Sequence, residues 1–474
     1  MVSDMVRGQT KNIAIQPLGN KSIDAKETIL PSHIDLRNGR LNNAGNWEKR
    51  PGYDEWRLTN ILKPVTLLLP IGNGYAMTST GRIFDLTSDN QNEIVNNTIL
   101  SGTDHPQWVK HNDYVIICNG GHPINLIHGG VSYLAGSPPA GARFVVRVGD
   151  YTLMSGYKSD VTEFAWCAAN NPENWTTGDS GNGNISDSGN AIRNTIAIRD
   201  KVYHFHDKGI EVWVYIGGSN VFVRHDGLYI NRGIGADYSA IFANDTIYWY
   251  GDDHKFYVLN NGSPQVISHI YKNRIESLSN PSEIYGFDLR KEGVIRWLAP
   301  TDHICMVYDY INNNWSEDNE WLNGDWSKMR IGSYMELKGE QYFGDTEPTG
   351  KIYRWSRDYL NDNGNPIRVY RNMKLIPSSR GNKIRYNRMG FRIKRGVSNS
   401  NDSTPEMFWR YKLDEGNWSN YSYLDIGATA GDYDPWLFET NLGVGREIDI
   451  EVVHTDAVDD VLTHMNLTME ELGR

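Results

Sequence analysis

Six carboxylates are the groups in this chain best suited to do chemistry: Glu163, Glu211, Asp252, Asp253, Asp302 and Asp309. On a repeated β-scaffold they could face a common axis. Two carboxyls about 5–10 Å apart across a sugar would then make a retaining or an inverting glycosidase. Most Asp residues here stand in obvious turn sequences, so the turn role outweighs the catalytic one. His204 and His206 fall at strand spacing on one face, but two imidazoles without a third ligand do not hold a metal. The sequence contains no GxSxG, HExxH, P-loop or CxxC pattern. The glycine-rich run 178–190 lacks the Lys-Ser/Thr and the strand–helix context of a phosphate cradle, and reads as a mobile loop. No catalytic residue, cofactor site or metal site is predicted.

Two further patterns carry contact chemistry. Trp315, Trp321 and Trp326 lie in INNNWSEDNEWLNGDW, where they could stack on a sugar or anchor a partner protein, or else close a β-sheet core. The segment LDEGNW (413–418) is similar to the Asp-box of sialidases but one residue short, and such a box is a hairpin-turn device even there.

The elements that must position these residues are strands. Aromatics make up 11% of the chain, with 27 Tyr and 15 Trp beside 46 Gly, a strand-and-turn composition. From Thr195 to Leu259, short aromatic-rich strands alternate with Asp/Gly turns. Hairpin centres recur at Leu67, Val109, Val145, Ile196, Ile241, Tyr285 and Ile331, a spacing that fits four-stranded propeller blades. The expected fold is all-β: a propeller of six or seven blades over 61–357, a linker over 358–366 and an antiparallel β-sandwich over 367–474. The best helix-like window is Val458–Leu472. Residues 1–60 read as an extended N-terminal arm. Its anchors Ile34, Leu36, Leu41, Trp47, Tyr53 and Trp56 need a surface that a short irregular segment cannot make alone. Deletion of residues 1–56 is therefore expected to abolish assembly and leave a folded monomer.

Net charge is −11, which excludes a generally basic nucleic-acid binder. Cys118, Cys167 and Cys305 are far apart and read as free thiols in a reducing compartment. No leader and no apolar run of membrane length is apparent, so a soluble chain without a membrane span is expected. Charge is segregated near the C-terminus. Ten bases and no acid lie between Asp362 and Asp402, while twelve acids and one base lie from Asp414 to Asp460. Either the basic strands meet DNA or an acidic partner, or the two sets pair across one sheet; near-cancellation favours the second.

The segment NGRLNNAGNWEKRPGY (38–53) resembles the Asn-x6-Gly-x3-(Lys/Arg)-x-Pro-Gly signature that opens many tail proteins of short-tailed bacteriophages. FAWCAANNPENW (164–175), YHFHDKGIEVWVYIGGSNVFVRHDGLYINRGI (203–234), YWYGDDHKFYVLNNGSPQVIS and MVYDYINNNW (306–315) are similar to later stretches of the same family, in the same order. That family is the tail nozzle or hub group, also called packaged-DNA-stabilisation proteins. The resemblance implies a homohexameric ring below the portal and its adaptor, assembled in the host cytoplasm and carried in the virion. It implies a lumen through which double-stranded DNA passes without sequence recognition, attached fibres, spikes or needle, and no catalysis. Docking contacts would come from Ile34, Leu36, Trp47, Lys49, Arg50, Pro51, Tyr53 and Trp56. The alternative from another class is a glycan-binding or glycan-hydrolysing propeller, with paired carboxylates or clustered Trp at its axis.

Overall fold

The computed structural model describes residues 10–15, 32–42, 46–87, 92–94, 100–127, 130–157, 160–185, 191–218, 220–375, 381–394, 405–426, 436–459 and 461–473. The fold is all-β and propeller-like, with helix confined among the described residues to short turns between 269 and 283. Seven four-stranded antiparallel units follow one another, and their first strands begin at Val65, Gln107, Phe144, Asn194, Ile241, Tyr285 and Ile331. Every hairpin centre anticipated from the sequence lies on one of these first strands. Side chains on strands alternate between faces, so each sheet can be apolar on both sides where it is stacked between two others.

The apolar residues collect accordingly. Leu67, Met77 and Ile83 of the first unit share a core with Val115, Ile117 and Leu126 of the second. Five more clusters join successive units in the same way. A last one packs Val65, Leu68 and Ala76 of the first unit against Met335, Leu337, Tyr342 and Ile352 of the seventh. Each large side chain so buried contributes about 1.5–3 kcal/mol.

The seventh unit has only three strands from its own stretch of sequence: Ile331–Leu337, Glu340–Asp345 and Lys351–Ser356. Its fourth is Gly52–Leu58, which pairs antiparallel with Lys351–Ser356. Strands just upstream join the C-terminal body. Ser32–Arg37 pairs with Val369–Leu375, Gly39–Leu41 with Trp47–Lys49, and the latter with Val461–Gly473. The segment expected to be a free arm is thus built into its own chain. The physical reason is that an unpaired sheet edge and a half-apolar strand satisfy each other.

The C-terminal body is two packed sheets. One contains Lys383–Lys394 between Trp436–Gly445 and Val461–Gly473; the other contains Val369–Leu375, Ile448–His454, Glu406–Leu413 and Ser422–Asp425. Its core includes Met373, Tyr386, Phe391, Trp409, Ile450 and Leu467, with Leu36 and Trp47 from the N-terminal segment. The window read as helix-like is the strand Val461–Gly473. Met465, Leu467, Met469 and Glu471 are buried at every second residue, so burial on a sheet overrides the weak helical spacing. Of the segregated charges, Lys374 pairs with Glu447 across these sheets, and three further pairs each join one of the two runs to a residue outside the other. Lys374 meets Glu447 at 2.6 Å, Arg385 meets Glu470 at 3.3 Å, Lys412 meets Asp449 at 2.9 Å, and Arg410 forks onto Glu451 at 2.9 Å.

Candidate functional site

Asn38, Lys49, Arg50 and Gly52 of the signature-bearing segment stand in a densely connected polar site among the described residues. Asn38 sits in the left-handed region with φ 55°, a conformation that Asn tolerates better than most residues. Its amide oxygen accepts from Arg50 Nε at 2.8 Å and from the Asn319 backbone N–H at 2.9 Å, while its Nδ2 donates to the Arg368 carbonyl. Arg50 forks onto Asp362 at 2.9 and 2.5 Å and also donates to the carbonyls of Pro51 and Asn319. Lys49 Nζ donates to the Asp456 carbonyl at 2.9 Å. Gly52 has no room for a side chain, since an added Cβ would lie 2.2 Å from the Asn361 carbonyl oxygen. Four places in the chain therefore meet here: the N-terminal segment, the sixth unit's last strand, the 358–366 connection and the C-terminal body.

A second buried carboxylate completes the knot. Asp318 accepts from Arg40 and Arg296 at 3.0 and 2.5 Å, with Arg50 Nε at 3.9 Å. Burial alone would raise its pKa, but Arg296, Arg40 and Arg50 together outweigh burial and hold it down at about 2. Burial pulls Arg40 down to about 10, against the attraction of Asp318. Burial would likewise lower Arg50, but Asp362 overcomes it and keeps the guanidinium charged. Asp362 is pushed up by burial, which Arg50 opposes. The two partners thus point to opposite conclusions about the pair. The doubly hydrogen-bonded geometry decides it as an ion pair. Nearby, Glu320 accepts from the Tyr53 hydroxyl at 2.5 Å and from Arg330, and Glu317 accepts from Tyr271 and Arg274 at 2.6 and 2.7 Å. Arg296 lies over the Trp355 ring at 4.2 Å, and Arg50 over the same ring at 5.3 Å.

The expected docking residues are therefore inward-facing. Leu36, Trp47, Lys49, Arg50, Pro51 and Tyr53 are buried within this chain, which corrects their assignment to a neighbour's surface. Ile34 lies at the register irregularity between His33 and Asp35, and its side chain is outside the described residues. Trp56 is half-buried against Tyr342, with ring centroids 4.0 Å apart. Trp315 is fully buried between the fifth and sixth units, donating to the Ile267 carbonyl at 2.9 Å, and is not a partner contact. Trp321 and Trp326 face each other across a hairpin at 5.0 Å. Arg368 covers the first and Arg37 the second, so this hairpin also leans on the C-terminal body.

The candidate catalytic carboxylates are not brought together. Asp302 accepts from the backbone of Ser279, and Asp309 from Ile311 and Asn312. Asp252 and Asp253 pair with Arg232, Glu211 accepts from Trp213, and Glu163 is held by Asn182. Each serves its own turn or strand. Burial drives the His204 pKa down to about 3, and the ring packs at a tilt against Phe164, with centroids 4.3 Å apart. Among the described residues no cluster of three or more His, Cys, Asp or Glu is arranged to hold a metal. The run read as a mobile loop contains the strand Gly181–Asn184. Its glycines let it lie on aromatic rings, since a Cβ at Gly183 would stand 2.8 Å from Phe164; residues 186–190 are outside the described set. Asp414, in the Asp-box-like segment, accepts the backbone N–H groups of Arg446 and Glu447, a turn role.

One further cluster of side chains was not anticipated from the sequence. Residues leading into five first strands converge there. Arg143 binds Asp237 at 2.5 Å and Asp104 at 3.4 Å, Arg193 binds Asp237 at 2.7 Å, and His105 packs with tilted rings against both Tyr238 and Tyr285. No local signal marks these residues, because their partners are up to 180 positions away in sequence.

No family model and no curated protein matches this chain. Solved structures resemble it at low identity. PorZ, a surface component of the type-IX secretion system of Porphyromonas gingivalis, gives a TM-score of 0.40 at 9% identity over 79% of this chain and 46% of its own. The extracellular domain of the one-component system BT4673 from B. thetaiotaomicron gives 0.44 at 10% over 81% and 47%. BamB from Moraxella catarrhalis gives 0.37 at 9% over 74% and 100%. The chain spans about half the length of the first and second of these.

Proposed function

We propose that this chain is a structural ring protein of a short-tailed bacteriophage, the tail nozzle or hub below the portal adaptor. In this reading its seven units are the blades of one closed propeller, with Gly52–Leu58 as the closing strand. Six copies surround the DNA exit channel, help retain the packaged genome, and carry fibres, spikes or a needle. A net charge of −11 suits a wall past which DNA slides without being held.

The observation that carries the reading is the role of the signature residues. Asn38, Lys49, Pro51 and Gly52, described positions of the signature, lie with the intervening Arg50 at a junction that couples the two bodies of the chain. A ring subunit under the load of packaged DNA needs that coupling. The residues put forward earlier as catalytic are each engaged in separate turns and strands. Contacts between copies then come from surfaces other than the buried 35–53 segment. Negative-stain microscopy of the purified chain, alone and with a co-expressed portal adaptor, tests the reading. Six-fold rings support it; single particles of one chain in both preparations refute it.

A further inference from the structure

We propose that the outer face of the sheet around Lys383–Lys394 binds single-stranded nucleic acid. This strand lies between Trp436–Gly445 and Val461–Gly473, and the register fixes which residues share a face. Ile384, Tyr386, Met389 and Phe391 belong to the core, with an irregularity between Tyr386 and Arg388 that keeps them on one side. Arg385, Arg388 and Arg392 therefore form a row on the opposite, outward side. On one flank Trp436 stands opposite Arg392 and Phe438 opposite Gly390. On the other, His464 stands opposite Arg392 and Glu470 opposite Arg385.

Two observations set this face apart. The first is a pair of uncovered aromatic rings. Trp436 is 39% and Phe438 48% exposed, and their planes are parallel to within 3°, with centroids 5.7 Å apart. Gly390 gives them a seat, since a Cβ there would lie 2.7 Å from Phe438 and 3.3 Å from Trp436. The second is charge. The Arg388 guanidinium lies over the Phe438 ring at 4.5 Å and enters no ion pair among the described residues. Glu470, 3.3 Å from Arg385, is the one acid that the described parts of these three strands place on this face. Three guanidiniums against one carboxylate make a cationic surface on a chain of net charge −11.

Charge and stacking together select the occupant. The guanidinium row matches a polyanion and gives a neutral sugar chain nothing to neutralise. The exposed ring faces match planar bases, which an acidic peptide lacks. A duplex offers the phosphates but hides its base faces in the stack, and its grooves take a helix or a narrow ribbon rather than a broad flat sheet. A single strand offers both. Its phosphates follow Arg385, Arg388 and Arg392 while its bases stack on Trp436 and Phe438, a combination of cationic track and aromatic platform that holds single strands without reading sequence. This binding does not depend on ring assembly or on the scaffold reading.

The test is fluorescence anisotropy of the full chain with a labelled oligothymidylate of about 12 nucleotides, its duplex with oligoadenylate, and polyglutamate. The single strand is expected to bind saturably and more tightly than either other probe. Its log K is expected to fall against log salt with a slope of about −2, the value for about three phosphates. Trp436→Ala and Phe438→Ala are each expected to weaken it about tenfold and leave the slope alone. Arg388→Gln is expected to make the slope shallower by about 0.7. Because Arg388 is exposed, that change is readable even where Phe438→Ala disturbs the sheet. Tyr423→Ala, 63% exposed on the other sheet of the C-terminal body, is expected to change nothing. Absence of single-strand binding overturns the proposal. So does duplex or polyglutamate binding as tight as that of the single strand, or binding that Trp436→Ala and Arg388→Gln leave unchanged.

Discussion

Replacing Arg50 by Met removes the guanidinium that holds the two bodies together. The substitution deletes two hydrogen bonds to Asp362, one to Asn38, and two to the carbonyls of Pro51 and Asn319. Removing one partner of a buried pair leaves the other charge uncompensated, at a cost of about 3–5 kcal/mol. Asp362 is 1% exposed, so water does not replace the lost partner. Because burial already pushes the Asp362 pKa up, the orphaned carboxyl relieves itself by taking a proton. A raised folded-state pKa means stability is lost as pH rises above the unfolded value near 4. The penalty in Arg50→Met is therefore expected to be larger at pH 8 than at pH 5. Adding Asp362→Asn in the same background removes the charge and is expected to restore roughly 2 kcal/mol. Thermal unfolding followed by near-ultraviolet dichroism and tryptophan fluorescence measures this. The wild-type probes are expected to coincide, whereas in Arg50→Met they separate as the C-terminal body loosens from the propeller-like one. A loss below about 1 kcal/mol, with no rescue by Asp362→Asn, would refute the role given to the knot.

Other outcomes follow from the same geometry. Deleting residues 1–58 removes the fourth strand of the seventh unit and four strands from the C-terminal sheets: Thr10–Ile15, Ser32–Arg37, Gly39–Leu41 and Trp47–Lys49. The product is expected to aggregate and give no folded monomer by size-exclusion chromatography, in contrast to the outcome anticipated from a free arm. Gly183→Val places a side chain against Phe164, where even a Cβ would be 2.8 Å away, and is expected to cost about 1–3 kcal/mol in denaturant unfolding. Asp288 is raised to about 6, chiefly by burial, so its stability cost appears as pH climbs from about 4 to 6. Asp288→Asn is expected to stabilise the chain by about 1 kcal/mol at pH 8, after allowance for partial exposure, and to change nothing at pH 3.5. His204 is held down at about 3 by burial, so the stability it contributes is whole above about pH 6.5 and is lost as pH falls toward 3. His204→Gln is expected to flatten that acid limb in a series of melting curves.

Much of the repeat was legible because its signal is local. A hairpin brings together residues that are close in sequence, so Leu67, Val109 and their five counterparts could be located from alternation and turn chemistry alone. The charge complementarity of the C-terminal sheets was legible only in part: the basic and acidic runs anticipate Lys374 meeting Glu447, whereas Arg410 and Lys412 lie outside the basic run and Glu470 outside the acidic one. The closing strand was not legible. Gly52–Leu58 pairs with residues nearly 300 positions later, and its short upstream neighbours lack the length to show a period. Apolar residues in such a segment look the same whether they cover this chain or another. Trp315 misled in the same way, since Asn312 and Asn313 end a turn and Asn314 opens a strand whose next residue points into the core. The signature at 38–53 was visible as a pattern, but its purpose needed Asn319, Asp362 and Asp456, which only the folded chain brings near.

The assembly state of the purified full chain tests the central proposal most directly. Native mass spectrometry, alone and in the presence of the portal adaptor, is predicted to show six copies of the 53.9 kDa chain in one particle. A single copy under both conditions would contradict it.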